Sequence, residues 1–263
     1  MCGIAGYSVD ARSRIDRTLA AQALLAGIAE RGADAVGYAY REAGAVVVHK
    51  QRTGASAVLD AVAIPPSATQ LLAHVRDYTK GHPTIAANNH PIRHGAVVGI
   101  HNGIIQNDDE LFARHGLERE EPEMTVDSEA IFALVDAHPG DVSVLEELHG
   151  AMATAWLDER EPDVLHLARG IGRPLWLGRG RQELFFASTR STLELVAQTL
   201  RIHLRIGEVP EGRLLTLVGG DVAQQARFRP DRSYREDDAL PAVRAPHEGA
   251  FCLERLAVLA ALG

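Results

Sequence analysis

Cys2 follows Met1 and precedes Gly3. Removal of Met1 would leave one residue carrying both a thiol and a free α-amine. An α-amine has a reference pKa of about 7.7–8.0, so part of it is unprotonated near neutrality. It can take the thiol proton directly or through a water, with no histidine needed. His101-Asn102-Gly103 closes the apolar run AVVGIH. Read as a turn, it aims a side-chain amide and a backbone N–H at one point, as an oxyanion requires. The same residues also fit an ordinary Asn-Gly turn. Arg76 ends the run LLAHVR, where it could grip a carboxylate in two-point fashion or sit on a solvated surface. Asp127 opens a predicted helix, as an N-cap or as the acceptor of an ammonium group. A free amino acid presents a carboxylate and an ammonium, so an Arg and an Asp together would read its backbone.

The rest of the chain sets bounds on this chemistry. Its 263 residues suffice for one large domain or two small ones, and 46% hydrophobic with 24% charged residues is ordinary for a globular chain. The 27 basic against 35 acidic residues give a net charge of −8, a poor basis for nucleic-acid binding. No apolar run reaches the length of a membrane span, and MCGIAGYSVDARSRID lacks the basic-then-apolar pattern of a secretory signal. The expectation is a cytoplasmic protein that engages neither membrane nor nucleic acid. Two cysteines without a CxxC, and histidines without HExxH spacing, predict reduced thiols, no structural zinc and no cofactor.

The elements that must position these residues follow from periodicity. A strand is predicted over 2–8 and a helix over 15–31, its apolar residues spread widely enough for burial on more than one face. Strands follow at 36–41 and 45–51, a short helix at 55–63 and a strand at 71–75. Residues 76–95, rich in His, Pro and Asn, read as a long loop of functional character. Further on come a strand at 96–101, helices at 107–115, 127–138 and 141–149, and strands at 151–157, 163–168, 173–178 and 183–188. Helix 190–200 and strands near 201–206 and 213–218 complete a layered α+β pattern. Residues 228–247 are charged and Pro-containing, like a linker, and FCLERLAVLAAL is an apolar helix suited to packing on its own domain or on a partner.

In order along the chain stand CGIAGY, RGADAVG, HVRDYTKG, NNHP, HNGIIQN, VDSEAI, GAMATAWLD, GRPLWLG and FFAST. This series resembles the glutaminase domain of class II glutamine amidotransferases, with that of glucosamine-6-phosphate synthase nearest in type. The resemblance covers roughly residues 2–220. It implies the four-layer αββα sandwich of N-terminal-nucleophile hydrolases and divides the chain into a glutaminase domain (2–227) and a linker with C-terminal helix (228–263). It further implies Cys2 as nucleophile with its own α-amine as base, and Asn102 with the Gly103 N–H as oxyanion hole. Arg76 would bind the glutamine carboxylate, Asp127 its ammonium, and Thr79 would contact substrate. Arg31 would order the nucleophile's surroundings. The family loop usually reads Arg-Trp-Ala-Thr-His-Gly or Arg-Tyr-Ser-Thr; here it reads Arg76-Asp77-Tyr78-Thr79-Lys80-Gly81.

The expected reaction is hydrolysis of L-glutamine to glutamate and ammonia. The ammonia would pass to a separate synthase subunit, because few residues follow 220, and a homo-oligomer is compatible with this. Two other readings stand beside it. One is a stand-alone amidohydrolase acting on another γ-glutamyl amide. The other is a non-catalytic binding or regulatory subunit with the same fold.

Overall fold

A computed structural model describes residues 2–235 and 241–262. In chain order the elements are β1 (Gly3–Val9), α1 (Arg17–Ile28), β2 (Ala35–Glu42), β3 (Ala45–Gln51), β4 (Gln70–Arg76), β5 (Ile92–His94), β6 (Val97–Ile105), α2 (Asp108–His115) and α3 (Glu129–Ala137). They continue with β7 (Gly150–Asp158), β8 (Val164–Arg169), β9 (Trp176–Arg179), β10 (Glu183–Ala187), α4 (Arg190–Leu200), β11 (Arg205–Glu208), β12 (Arg213–Val218), β13 (Asp221–Arg227) and α5 (Pro246–Leu262).

The strands form two antiparallel sheets. One has the order β11-β9-β10-β1-β4-β2-β3 and the other β13-β12-β8-β7-β6-β5. Side chains alternate between the faces of a strand, and here both faces are covered. Ile4, Leu72 and Phe186 from the first sheet meet Ile100, Leu157 and Leu167 from the second in a layer between the sheets. Tyr7, Val75 and Phe185 on the other face of the first sheet pack against α1, α4 and α5. Met152 and Trp156 on the outer face of the second sheet pack against Ile131 and Phe132 of α3. The architecture is therefore the α+β, four-layer αββα sandwich that the resemblance implies.

Helix α1 starts at Asp16, whose carboxylate accepts the Leu19 N–H at 2.9 Å. It is buried on nearly every side because the first sheet lies beneath it and α4 and α5 flank it. Helix α5 inserts Cys252 and Leu256 into this layer. It is held by Glu248, which accepts from the Ser56 N–H at 3.0 Å and hydroxyl at 2.8 Å. Cys2 and Cys252 are both free thiols. Among the described residues no helix is long and apolar enough to cross a membrane.

Several boundaries differ from those that periodicity predicts. The helix expected at 55–63 is two 3-10 turns, Ala55–Ala57 and Leu59–Ala61, a segment too short to nucleate an α-helix unaided. The helix expected at 141–149 is a single 3-10 stretch, Val142–Glu146. Residues 76–95 contain the short strand β5, and the strand expected near 201–206 runs over Arg205–Glu208, after Arg201 ends α4 in the left-handed region. Strand β13 (DVAQQAR) has no counterpart among the predicted elements, because an exposed edge strand lacks apolar alternation. The expected linker, 228–247, includes residues 236–240, which lie outside the described residues. Helix α5 begins at Pro246, ahead of the apolar run.

The largest difference falls on His101-Asn102-Gly103. These residues lie inside β6, which continues to Ile105 because β7 pairs with all of it, Asn102 opposite Ala153 and Gly103 opposite Met152. Gly103 has φ +151°, and a Cβ there would stand 1.8 Å from the Ala151 carbonyl oxygen. Cross-strand pairing thus overrides the local turn preference of Asn-Gly, and only glycine fits.

Because α1 has no solvent face along its middle, truncation of two consecutive residues tests its position. Leu24→Ala and Leu25→Ala should each destabilise the fold by about 2–5 kcal/mol in denaturant titrations. A helix with one exposed face would lose stability from only one of them.

Candidate active site

The register of the first sheet sets the site. Gly3 pairs with Val75, so Cys2, one residue before β1, comes opposite Arg76 at the end of β4. The Cys2 sulfur lies 3.4 Å from the Asp77 carbonyl oxygen. Arg31, in the turn after α1, donates from Nε to the Cys2 carbonyl at 2.9 Å. Desolvation is the largest influence on the Cys2 thiol and pushes it up. A hydrogen bond with the Asp77 backbone and the Arg76 charge oppose that rise, and the Asp77 carboxylate adds to it.

Arg76 is 2% exposed. Its guanidinium donates to Asn89 Oδ1 at 2.6 Å, to the Lys80 carbonyl at 2.9 Å and to the Gly81 carbonyl. Its charge is felt by the Cys2 thiol, and the Cys2 and Asp127 charges are felt in turn by Arg76. Arg76 therefore stands within electrostatic reach of both. Thr79 is exposed at the rim of this loop. Lys80 ties the loop to the start of α2 through Asp108 at 2.7 Å and Asp109 at 3.2 Å.

The NNHP motif supplies residues to which sequence alone assigns no role. Asn88 accepts the Thr125 and Val126 N–H groups at 2.8 and 3.1 Å, and Asn89 holds Arg76. His90 stacks on His74 with ring centroids 4.2 Å apart. His74 Nε2 donates to the His101 carbonyl at 3.1 Å, bridging the two sheets beside Asn102. Burial lowers His74 and His101 to about 3 and His90 well below its ordinary value, so all three are neutral at pH 7. His101 Nε2–H donates to the Ala151 carbonyl at 3.2 Å, which leaves Nδ1 to accept from the Ser128 hydroxyl at 2.9 Å.

Asn102 is 1% exposed, and neither its Nδ2 nor its Oδ1 has a hydrogen-bond partner among the described residues. A buried amide left unpaired is costly unless a water or a ligand meets it. Just past the end of β6, Gln106 N–H donates to the carbonyl of His149, the residue before β7. Hydrogen bonding alternates along an antiparallel ladder, so the Gly103 and Ile105 N–H groups point to the edge away from β7. There Ile105 N–H donates to Asp127 Oδ2 at 2.7 Å. Asp127 is thus not the helix cap: Ser128 occupies that position in α3. Burial pushes the Asp127 carboxyl up to about 6, the Ile105 bond opposes this, Asp108 adds to it and Lys80 reduces it.

One edge of the molecule therefore gathers a thiol, a buried guanidinium, a buried carboxyl and an unpaired amide. That set can hold an amino acid by its two charges and accept a developing oxyanion. Among the described residues no cluster of His, Cys, Asp or Glu could hold a metal ion.

Residues 79–195 match the family described as a glutamine amidotransferase domain. The chain is 34% identical over 228 residues to glutamine–fructose-6-phosphate aminotransferase (isomerizing) of Pseudomonas putida, covering 81% of this chain and 36% of the relative. The same enzyme of Symbiobacterium thermophilum is 31% identical over 247 residues, 88% of this chain and 39% of the relative. The chain thus spans little more than a third of these relatives' length. In fold it is similar to glutamine phosphoribosylpyrophosphate amidotransferase from B. subtilis, with a TM-score of 0.66 at 19% identity, covering 86% of this chain and 49% of the other.

The raised Asp127 carboxyl makes stability depend on pH. Its folded value, about 6, lies above the ordinary 3.8, so between these the folded state binds the proton more firmly. The group's contribution to stability then falls as pH rises from about 4 to about 6 and is lower by about 2–3 kcal/mol above that range. Asp127→Asn removes this dependence. The stability of the variant relative to wild type should rise between pH 4 and pH 7.5 in denaturant titrations; an equal difference at both ends would rule out the raised carboxyl.

Proposed function

From the premise that the chain carries a class II glutamine amidotransferase domain, similar to the glutaminase domain of glucosamine-6-phosphate synthase, we propose that it hydrolyses L-glutamine to glutamate and ammonia with Cys2 as nucleophile. The observation that carries this reading is the buried Asn102 amide without a partner, on the strand that faces the Cys2–Arg76 end of β4.

In the proposed mechanism the glutamine α-carboxylate binds Arg76 and its α-ammonium binds Asp127, with Thr79 contacting substrate at the rim. The side-chain amide carbon then lies against the Cys2 sulfur. Desolvation raises the resting thiol, so a base must remove its proton. Loss of Met1 would free the Cys2 α-amine for that task. Attack on the carbonyl forms a tetrahedral intermediate whose oxyanion accepts from Asn102 Nδ2 and the Gly103 N–H. The C–N bond breaks, and the protonated amine gives its proton to the departing ammonia. The same amine takes a proton from water, which attacks the thioester, releases glutamate and restores the thiol. Arg31 supports the nucleophile by holding the Cys2 carbonyl. The matched relatives are aminotransferases by name, which favours delivery of the ammonia to a synthase over its release. A separate synthase subunit is the arrangement we propose.

The test joins mass spectrometry of the N-terminus to a glutaminase assay. Cys2→Ala should abolish turnover, and protein that retains Met1 should be inactive. Asn102→Ala should lower kcat by about 10²–10³-fold with little change in KM. Equal kcat in wild type and Asn102→Ala would remove that residue from the mechanism. Faster cleavage of γ-glutamyl conjugates than of glutamine would favour the amidohydrolase alternative.

A further inference from the structure

The C-terminal segment reaches the site from outside the motifs that carry the resemblance. The Arg244 and Ala245 N–H groups both donate to the Glu30 carbonyl at 2.9 Å, in the same turn whose next residue, Arg31, holds the Cys2 carbonyl. Arg244 Nε lies 3.2 Å from the Asp77 carboxylate. The Asp77 carbonyl in turn lies 3.4 Å from the Cys2 sulfur. These contacts close a ring: Cys2 to Arg31, Glu30 to Arg244, Arg244 to Asp77, and Asp77 back to Cys2. Two features of the chain meet in it. One is Asp77, which replaces the aromatic residue usual at that place in the family loop. The other is the segment beyond residue 227.

We propose that Arg244 is a positioning residue for Cys2, acting through Asp77. Resting on the glutaminase reading, this assigns the C-terminal segment a part in setting the nucleophile. Physically, Arg244 does two things. It fixes the first residue after Arg76, so that the backbone of Asp77 stays against the sulfur. It also offsets the Asp77 carboxylate, whose charge disfavours the Cys2 thiolate. Without Arg244 less of that negative charge would be offset beside the sulfur. The rest of the segment is anchored independently, by Glu248 on Ser56 and by Arg255 on Asp60 at 2.6 Å. The loss of one guanidinium therefore leaves α5 docked.

The experiment uses the full chain and measures the pH dependence of Cys2 alkylation by iodoacetamide, with the modified residue located by mass spectrometry, alongside glutaminase kinetics. Arg244→Gln should move the alkylation midpoint up by about 0.3–0.7 pH unit. It should also lower kcat/KM by about twofold to fivefold, the scale of an ion pair partly open to solvent. Asp77→Asn should move the midpoint down, and Arg244→Gln added to Asp77→Asn should produce no further shift. Arg244→Lys, which keeps the charge, should restore the wild-type profile. A midpoint that stays put in Arg244→Gln, or that moves equally whether or not Asp77→Asn is also present, overturns the proposal. The alkylation readout needs no glutamine. A chain that shows the coupling but does not cleave glutamine would refute the glutaminase reading alone.

Discussion

A guanidinium withdrawn from water must find acceptors, and the burial of Arg76 organises the whole end of the molecule around that need. Its partners are two loop carbonyls and the Asn89 amide. Those acceptors hold residues 77–81 in one path. Lys80 extends the path to Asp108 at the start of α2, and Asn88 extends it to the segment before α3. A long loop of polar composition thus becomes a fixed wall. The same charge lies close enough to Cys2 and Asp127 to join them electrostatically.

The second requirement is that the two sheets meet beside the site without adding charge there. The layer between them is apolar, and where it ends three histidines fill the gap. Desolvation keeps all three neutral, so they fill that space without adding to the Arg76 charge. His74 spans from β4 to the backbone of β6 next to Asn102. The sheet that carries the thiol is thereby registered against the sheet that carries the unpaired amide. Proposed nucleophile and proposed oxyanion donor are held by rigid strands, as preorganised stabilisation of a developing charge demands.

Much of this is legible in the chain before its fold. The apolar runs at 2–8 and 71–75 and the apolar spread of the helix predicted over 15–31 yield elements close to those observed. Cys2, Arg76, Asn102 and Asp127 stand out by type and order. Strand β13 escapes because its residues face solvent, and the 3-10 turns at 55–61 because seven residues carry too little period to separate helix from turn. Asn88, Asn89 and His90 form a motif without a visible task, since their partners lie far off along the chain in β4 and beside α3. Nothing local in Arg244 points to Asp77, 167 residues away.

What the amino-acid order determined alone is therefore the chemistry available: a thiol beside a potential terminal amine, a cation, a carboxylate and an amide, in a family's sequence of motifs. Local residue preferences and that likeness suffice for it. Only the tertiary structure decided which groups share a volume, which are dry and which are left unpaired. It made Asn-Gly a strand where the chain alone suggested a turn, because β7 pairs along all of β6. It raised the Asp127 carboxyl and lowered three imidazoles, because desolvation depends on what the fold packs around a group and not on its neighbours in sequence.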